Sequence, residues 1–187
     1  MSLPLHPAGS ASITVRLLRC GLLLLLAVLA ALPCARADDL PEYRLKAAFV
    51  YHFISYTDWP AETAATLNLC LVGGDPFGGE IDGLRGKPVG SRSIEIRRPG
   101  AGAELLGCQA VFVAPSAIER LPHLLEALHG HAVLTIADSP GAMRAGVMIN
   151  MVLVDGRVKF EANLRAARGA GLNLSSRLLH LATEVVQ

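Results

Sequence analysis

The chain has 187 residues, of which 52% are hydrophobic, and its 17 basic residues nearly balance its 16 acidic ones. Removal of an export segment would take away Arg16, Arg19 and Arg36 but no acid, which leaves 14 basic and 16 acidic residues and a net charge of −2. A mature chain with that balance has no electrostatic means of attracting nucleic acid, so we expect no nucleic-acid partner.

Residues 1–37 have the pattern of a secretory signal peptide. Two arginines precede the apolar run Gly21–Leu32, and Ala35-Arg36-Ala37 supplies the small residues of a cleavage site. The run is shorter than the roughly 20 residues that cross a bilayer, which favours cleavage over a retained membrane anchor; a lipid anchor on Cys34 is a second alternative. We therefore expect a periplasmic mature domain of residues 38–187, which is long enough for one hydrophobic core.

Residues 41–57 are predicted to form the first helix, which Pro60 ends. The segment from Tyr43 to Trp59 contains six of the nine aromatic residues in the chain. One face repeats at helical spacing and is predicted to pack on the core: Leu45, Phe49, Phe53 and Tyr56. The aromatic residues outside that face are candidate anchors for a protein partner: Tyr43, Tyr51 and Trp59.

Apolar runs alternate with helical segments through the middle of the chain. The predicted strands cover residues 67–72, 93–97, 109–114 and 132–137. A short helix capped by Asp75 is predicted after the first strand, and a longer one from Pro115 to Gly130 after the third. Short apolar strands separated by helices predict a largely parallel sheet that is covered on both faces.

The last third of the chain changes pattern. Asp155-Gly156 lies between the apolar runs Val147–Val154 and Arg157–Ala162, which is a strong signal for a two-residue hairpin. A final helix is predicted over Leu174–Val186. The predicted fold is therefore a single α/β domain with a mixed, mostly parallel sheet, helices on both faces, and a C-terminal hairpin plus helix.

Two cysteines, Cys70 and Cys108, remain after removal of the signal. In an oxidising compartment such a pair predicts a disulfide, and the alternative is two buried free thiols. Cys70 lies within a predicted strand and Cys108 just before another. A bridge therefore requires those two strands to be offset neighbours.

The sequence gives little support for catalysis. It contains neither Gly-x-Ser-x-Gly nor His-Glu-x-x-His. Gly73-Gly74-Asp75 follows a strand as a phosphate loop would, but the glycine spacing fits only a tight turn. His129 and His131 could hold a metal, but no further ligand stands at suitable spacing. We expect a protein without enzymatic activity, cofactor or metal.

Three segments together resemble the YfiR family of periplasmic proteins, and they span nearly the whole mature chain in order. The first segment runs from Tyr43-x-Leu45-Lys46-Ala47-Ala48-Phe49 to Trp59-Pro60. The second is Leu69-Cys70-Leu71-Val72-Gly73-Gly74-Asp75-Pro76-Phe77-Gly78, followed later by Gly107-Cys108. The third runs from Gly146-Val147-Met148-Ile149-Asn150 to Asn173-Leu174-Ser175-Ser176-Arg177-Leu178.

The resemblance implies a non-enzymatic regulator that binds the periplasmic sensor region of an inner-membrane diguanylate cyclase and inhibits it. Cyclic-di-GMP and biofilm formation would then rise when an outer-membrane lipoprotein sequesters the regulator. It also implies a homodimer and a disulfide between Cys70 and Cys108, although the second cysteine pair that some members carry near Gly146 is absent. The alternative is a module that binds a small ligand at Gly73, Gly74 and Asp75 and serves a membrane sensor kinase.

Overall fold

A computed structural model of the protein describes residues 39–60, 65–100 and 105–187, so the predicted signal peptide lies outside the described residues. The α-helices are α1 Asp39–Ser55, α2 Leu121–Ala127, α3 Ala142–Ala145, α4 Leu164–Gly169 and α5 Ser176–Leu179. The strands are β1 Thr57–Asp58, β2 Thr66–Val72, β3 Pro88–Val89, β4 Arg92–Arg97, β5 Ala110–Val113, β6 Leu134–Ala137, β7 Ile149–Val154, β8 Arg157–Asn163, β9 Asn173–Leu174 and β10 Glu184–Val186. Two 3₁₀ helices cover Ile81–Leu84 and Pro115–Arg120.

Eight of these strands form one mixed sheet in the order β10-β8-β7-β6-β5-β2-β4-β3. The five strands from β7 to β4 are mutually parallel, whereas β3 runs antiparallel to β4 and β8 runs antiparallel to β7. The edge strand β10 is parallel to β8. From β2 the chain first crosses to β4 on one side and then to β5 on the other. The winding therefore reverses between β2 and β5, at the kind of switch point where open α/β sheets hold ligands beyond the carboxyl ends of their strands.

Successive residues of the central strands point into two separate cores, as the two-residue period of a strand requires. Leu69, Leu71 and Phe112 face the core that α1 covers. Cys70 and Val111 face the opposite core, which includes residues of α2 and α3. The predicted mixed, mostly parallel α/β fold with helices on both faces is confirmed.

The predicted core face of the first helix is wrong at Leu45, which is 47% exposed. Phe53 is buried in the core, and Phe49 and Tyr56 are partly buried and pack against it. The fully enclosed stripe consists of Ala47, Val50, Phe53 and Ile54. The helix is apolar around most of its circumference, so either of two faces could have packed against the sheet. The observed rotation lets Lys46 reach Asp138 on the sheet, with 2.8 Å between Nζ and Oδ2.

The two other long helices of the sequence prediction are also shorter than expected. Pro122 carries no amide hydrogen, and the predicted helix from Pro115 to Gly130 divides near it into a 3₁₀ turn and α2. The predicted C-terminal helix ends at Leu179. The Thr183 hydroxyl then donates to Phe160 O (2.9 Å), and the chain finishes as β10 beside β8.

The predicted hairpin and disulfide are both present. β7 and β8 pair antiparallel, and Asp155 at their turn has a φ of +51°. Cys70 and Cys108 are bonded, with their Cα atoms 5.9 Å apart. Cys70 lies opposite Val111 in the β2–β5 register, so Cys108 belongs to the segment that leads into the neighbouring strand, which is the offset that the bridge requires.

Candidate partner-binding site

The end of α1 and Tyr56, the residue that follows it, carry three rings in a continuous row. The centroids of Tyr51 and His52 are 5.8 Å apart, and those of His52 and Tyr56 are 5.9 Å apart with the planes only 16° from parallel. His52 and Tyr56 stand four positions apart on a helix, and that spacing places them on one face. His52 is exposed and both tyrosines are half-buried.

A cation lies at each end of this row. Lys87 Nζ is 5.1 Å from the centroid of the Tyr51 ring, and Arg177 Cζ is 5.9 Å from that of Tyr56. Both distances allow the attraction between a cation and an aromatic face. We define the cation–aromatic row as Lys87, Tyr51, His52, Tyr56 and Arg177. Its two cations are exposed, so its polar groups face solvent.

Backbone contacts from distant segments hold the row in place. The Tyr51 hydroxyl donates to Pro88 O (3.1 Å), which fixes the ring beside β3. On the other side, Ser175 N donates to Tyr56 O (2.9 Å), and the Ser175 hydroxyl caps α5 by accepting from Leu178 N. Because α5 begins directly after Ser175, Arg177 in its first turn lies beside the Tyr56 ring.

Trp59 lies at the same end of the sheet as the row. Its Nε1 donates to Gln109 O (3.3 Å), and its ring lies 5.2 Å from Arg92 Cζ. Gln109 directly follows Cys108, so the disulfide anchors the backbone to which Trp59 is bonded. This is the amino edge of the sheet, because Gln109 precedes β5.

The structure brings together two of the three predicted partner anchors. Tyr51 and Trp59 share the amino edge. Tyr43 lies at the opposite, carboxyl edge, where its ring packs edge-on against Phe77 with centroids 5.4 Å apart. Tyr43 therefore lies apart from Tyr51 and Trp59, at the other edge of the sheet, and its role in partner binding stays a prediction.

Sequence reasoning missed four members of the row. The spacing of His52 and Tyr56 was a usable signal, but Tyr56 was assigned to the core face. Lys87 and Arg177 are remote in sequence from α1, and only the folded chain shows that they meet its rings.

The turn at Gly73, Gly74 and Asp75, predicted as the alternative ligand site, packs closely against the rest of the chain. Gly73 has a φ of +101°, and a Cβ there would lie 2.8 Å from the Ser116 hydroxyl oxygen. Gly74 N donates to that same oxygen (2.8 Å). Asp75 accepts from Phe77 N (2.8 Å) and from the Arg98 guanidinium (2.7 Å). The polar groups of this turn thus have partners within the chain, and Asp75 caps a turn rather than an α-helix.

The described residues show neither a metal cluster nor a helix that could span a membrane. Within residues 39–60, 65–100 and 105–187, no three histidine, cysteine, aspartate or glutamate side chains are grouped so that they could hold a metal ion. Over the same part of the chain, no helix combines the length and apolar character needed to cross a membrane.

Comparison with protein families gives a specific match. The family described as YfiR/HmsC-like matches residues 43–183, which is most of the chain. The chain belongs to the YfiR/HmsC-like family. This is a family of periplasmic regulators rather than enzymes, and it implies a periplasmic location with which the disulfide is consistent. The resemblance predicted from the three sequence segments is confirmed.

Solved structures share the fold at low sequence identity. A conserved domain protein from Vibrio cholerae O1 biovar eltor has 7% identity and a TM-score of 0.51, over 76% of this chain and 60% of that chain. The ABC domain from Streptococcus pneumoniae, solved in complex with L-Trp, has 8% identity and a TM-score of 0.52, over 77% of this chain and 60% of that chain. The protein thus spans about 60% of either chain, and these matches concern the α/β fold alone.

Proposed function

We propose that this YfiR/HmsC-like protein is a periplasmic regulator that inhibits an inner-membrane diguanylate cyclase by binding its periplasmic sensor region. The observation that carries the proposal is the cation–aromatic row at the amino edge. Tyr51, Tyr56 and Arg177 are of the residue types that dominate the energy of protein interfaces, because tyrosine and arginine combine a large contact area with polar ends.

The charges around the row indicate the chemistry of the partner. Lys87 and Arg177 stand at the two ends of the row, and the nearest acid on the same chain segment is Asp58, whose carboxylate accepts from Asn173 (3.1 Å). An excess of positive charge favours a partner face with aspartate and glutamate, since complementary charge raises the association rate and excludes wrong partners. We therefore propose that the sensor region presents an acidic segment to the row.

Measurement of cyclic-di-GMP in cells tests the function directly. A strain that lacks this chain should contain more cyclic-di-GMP, and the parent chain should restore the original level. The double variant Lys87→Glu, Arg177→Glu should fail to restore it, because it repels an acidic partner. Arg144→Glu is the control, since Arg144 is exposed on α3 and this variant makes one such charge reversal away from the row.

A photoreactive residue at position 52 identifies what the row touches. The expected crosslink is to an inner-membrane protein, and it should disappear in the Lys87→Glu, Arg177→Glu background but persist with Arg144→Glu. A crosslink to an outer-membrane lipoprotein would instead assign the row to sequestration. A crosslink to a second copy of the chain would assign it to the homodimer interface. Unchanged nucleotide in the deletion strain would reject the cyclase as the target.

The second candidate function is binding of a small ligand on behalf of a membrane sensor kinase. One observation favours it: a groove of about 520 Å³ lies beyond the carboxyl end of β2 and is lined by Tyr43 and residues 75–80. Carboxyl ends of strands next to a switch point are the usual ligand position in open α/β sheets. Gly74 N and the Asp75 carboxylate already have hydrogen-bond partners within the chain, so other residues at this edge would have to bind the ligand.

A further inference from the structure

Two buried polar atoms at the carboxyl edge have no hydrogen-bond partner among the described residues. They are Asp138 Oδ1 and Ser139 Oγ, which directly follow β6. The Asp138 side chain is fully buried and Ser139 is 4% exposed. Leaving such groups unpaired in the interior costs stability, so their position needs an explanation such as a ligand.

The other polar groups of this cluster are already engaged. Asp138 Oδ2 accepts from Lys46 Nζ at 2.8 Å, and Ser139 N donates to Asn150 Oδ1 at 3.2 Å. Asn150 in turn donates to Glu161 (3.2 Å). The polar neighbours Lys46, Asn150 and Glu161 thus already have partners of their own.

Tyr43 connects this cluster with the groove. Its ring lines the groove and packs against Phe77, while Lys46 Nζ lies 4.3 Å from the ring centroid. Burial and the negative charge of Asp138 raise the pKa of Tyr43 to about 12. Tyr43 and Asp138 both contact Lys46, so the Tyr43 side chain links the groove to the buried carboxylate.

Negative charge exceeds positive charge on both sides of the groove. Glu42 and Asp138 share the single ammonium group of Lys46, at 2.5 and 2.8 Å. The second network joins three carboxylates to two guanidinium groups: Asp75, Asp82 and Glu95 with Arg85 and Arg98. Glu42 also offsets the repulsion that Lys46 would exert on a bound cation. The charge balance therefore selects a cationic ligand.

We propose that the carboxyl-edge groove binds a small organic cation, an ammonium group on an apolar or aromatic body. The ammonium group donates to Asp138 Oδ1 and Ser139 Oγ, and the apolar body lies between Tyr43 and Phe77. This inference rests on the second candidate function, ligand binding. It is independent of docking at the cation–aromatic row, which lies at the other end of α1.

Calorimetric titration of the protein, expressed as the full chain and purified from the periplasm, tests the proposal with phenethylamine as the probe. 2-Phenylethanol and phenylacetate are the matched neutral and anionic controls. We expect saturable binding of the amine, roughly tenfold or more tighter than of the alcohol, because hydrogen bonds to a charged group are the stronger ones. No heat from the amine up to millimolar concentration, or equal binding of all three compounds, would overturn the proposal.

Two variants locate the site. Ser139→Ala should weaken amine binding about tenfold and leave the melting temperature unchanged or higher, because it removes an unpaired buried hydroxyl. Ser176→Ala, at an exposed position on α5, should bind like the parent. The pair Lys46→Met, Asp138→Leu removes both buried charges together and should abolish amine binding. If Ser139→Ala binds the amine as the parent does, the site is wrong, whether or not the charge variant folds.

These outcomes are separable from those of the docking proposal. Loss of amine binding in Ser139→Ala with normal control of cyclic-di-GMP would support the groove and leave the row untouched. Normal amine binding in Lys87→Glu, Arg177→Glu is expected, because those residues lie at the amino edge.

Discussion

The two ends of the sheet use charge in opposite ways. At the carboxyl edge, Lys46 and Asp138 are almost completely enclosed, with side chains 7% and 0% exposed. At the amino edge, Lys87 and Arg177 lie in solvent against aromatic rings. Enclosed charges are costly unless paired, so they fix position, whereas exposed charges contribute little to stability. The buried pair at the first edge thus fixes the start of α1 against the sheet, and the second edge is the one that we propose meets a partner.

Helix α1 joins these two environments. It begins at the carboxyl edge with Tyr43 and Lys46, buries an apolar stripe over the sheet, and ends at the amino edge with Tyr51 and His52. One helix therefore contributes to the polar cluster, the core and the row. Substitutions near the start of α1 should therefore reduce stability, whereas substitutions at its end should reduce partner binding.

Asp138→Leu should have the largest effect on folding. It leaves the Lys46 ammonium buried beside Glu42 alone, and removal of one partner of a buried ion pair costs about 3–5 kcal/mol. Urea unfolding followed by circular dichroism measures the loss. The control is Lys46→Met together with Asp138→Leu, which should recover most of it because no uncompensated charge is buried. If the single and the double variant lose the same stability, the pair does not act as a unit.

Cys70→Ala should be next in size. Loss of a native disulfide from a small exported domain usually costs about 2–5 kcal/mol. The bridge also anchors Gln109, to which Trp59 is bonded, so the loss should reach the amino edge. Unfolding in oxidising buffer should be weakened in the variant, and added reductant should weaken only the parent. A parent that does not respond to reductant would contradict a stabilising role.

Much of the sheet could be predicted because its longer strands follow local patterns. Leu67 to Val72 and Gln109 to Ala114 are short apolar runs bounded by turns, and Asp155-Gly156 specifies its own hairpin. The disulfide followed from Cys70 and Cys108 being the two cysteines of the predicted mature chain. These features need no knowledge of distant residues.

The parts that could not be predicted depend on contacts between remote segments. Lys46 and Asp138 are 92 positions apart, and their pair accompanies the rotation of a helix whose apolar residues allow more than one core face. The meeting of Arg177 with Tyr56 depends on the short β1–β9 pairing of Thr57 with Leu174. Two-residue strands of this kind leave no periodic signal in the sequence.

The double variant Lys87→Ala, Arg177→Ala should change stability only slightly. Contacts between exposed cations and rings are worth about 0.5–1 kcal/mol each, and neither cation is buried. Urea unfolding should therefore show a loss of about 2 kcal/mol at most, while control of cyclic-di-GMP is lost. A loss as large as that of Asp138→Leu would show that the row is structural, and the proposed division between the two edges would fail.

The smallest expected effect is a change in how stability depends on alkaline pH. A tyrosine in the unfolded chain titrates near pH 10, whereas burial and the charge of Asp138 raise the pKa of Tyr43 to about 12. Below pH 10 both states keep the proton, and the contribution to stability is complete. Between pH 10 and 12 the unfolded state releases its proton first, so the free energy of unfolding falls.

Lys46 contributes to the same alkaline decline. Burial lowers its pKa, but hydrogen bonds to Asp138 and Glu42 outweigh burial and raise the pKa overall. Tyr43→Phe should therefore reduce the slope of stability between pH 10 and 12 without abolishing it. Equal slopes in the parent and Tyr43→Phe would mean that the Tyr43 hydroxyl does not sense Asp138, and the link between the groove and the buried carboxylate would lose its support.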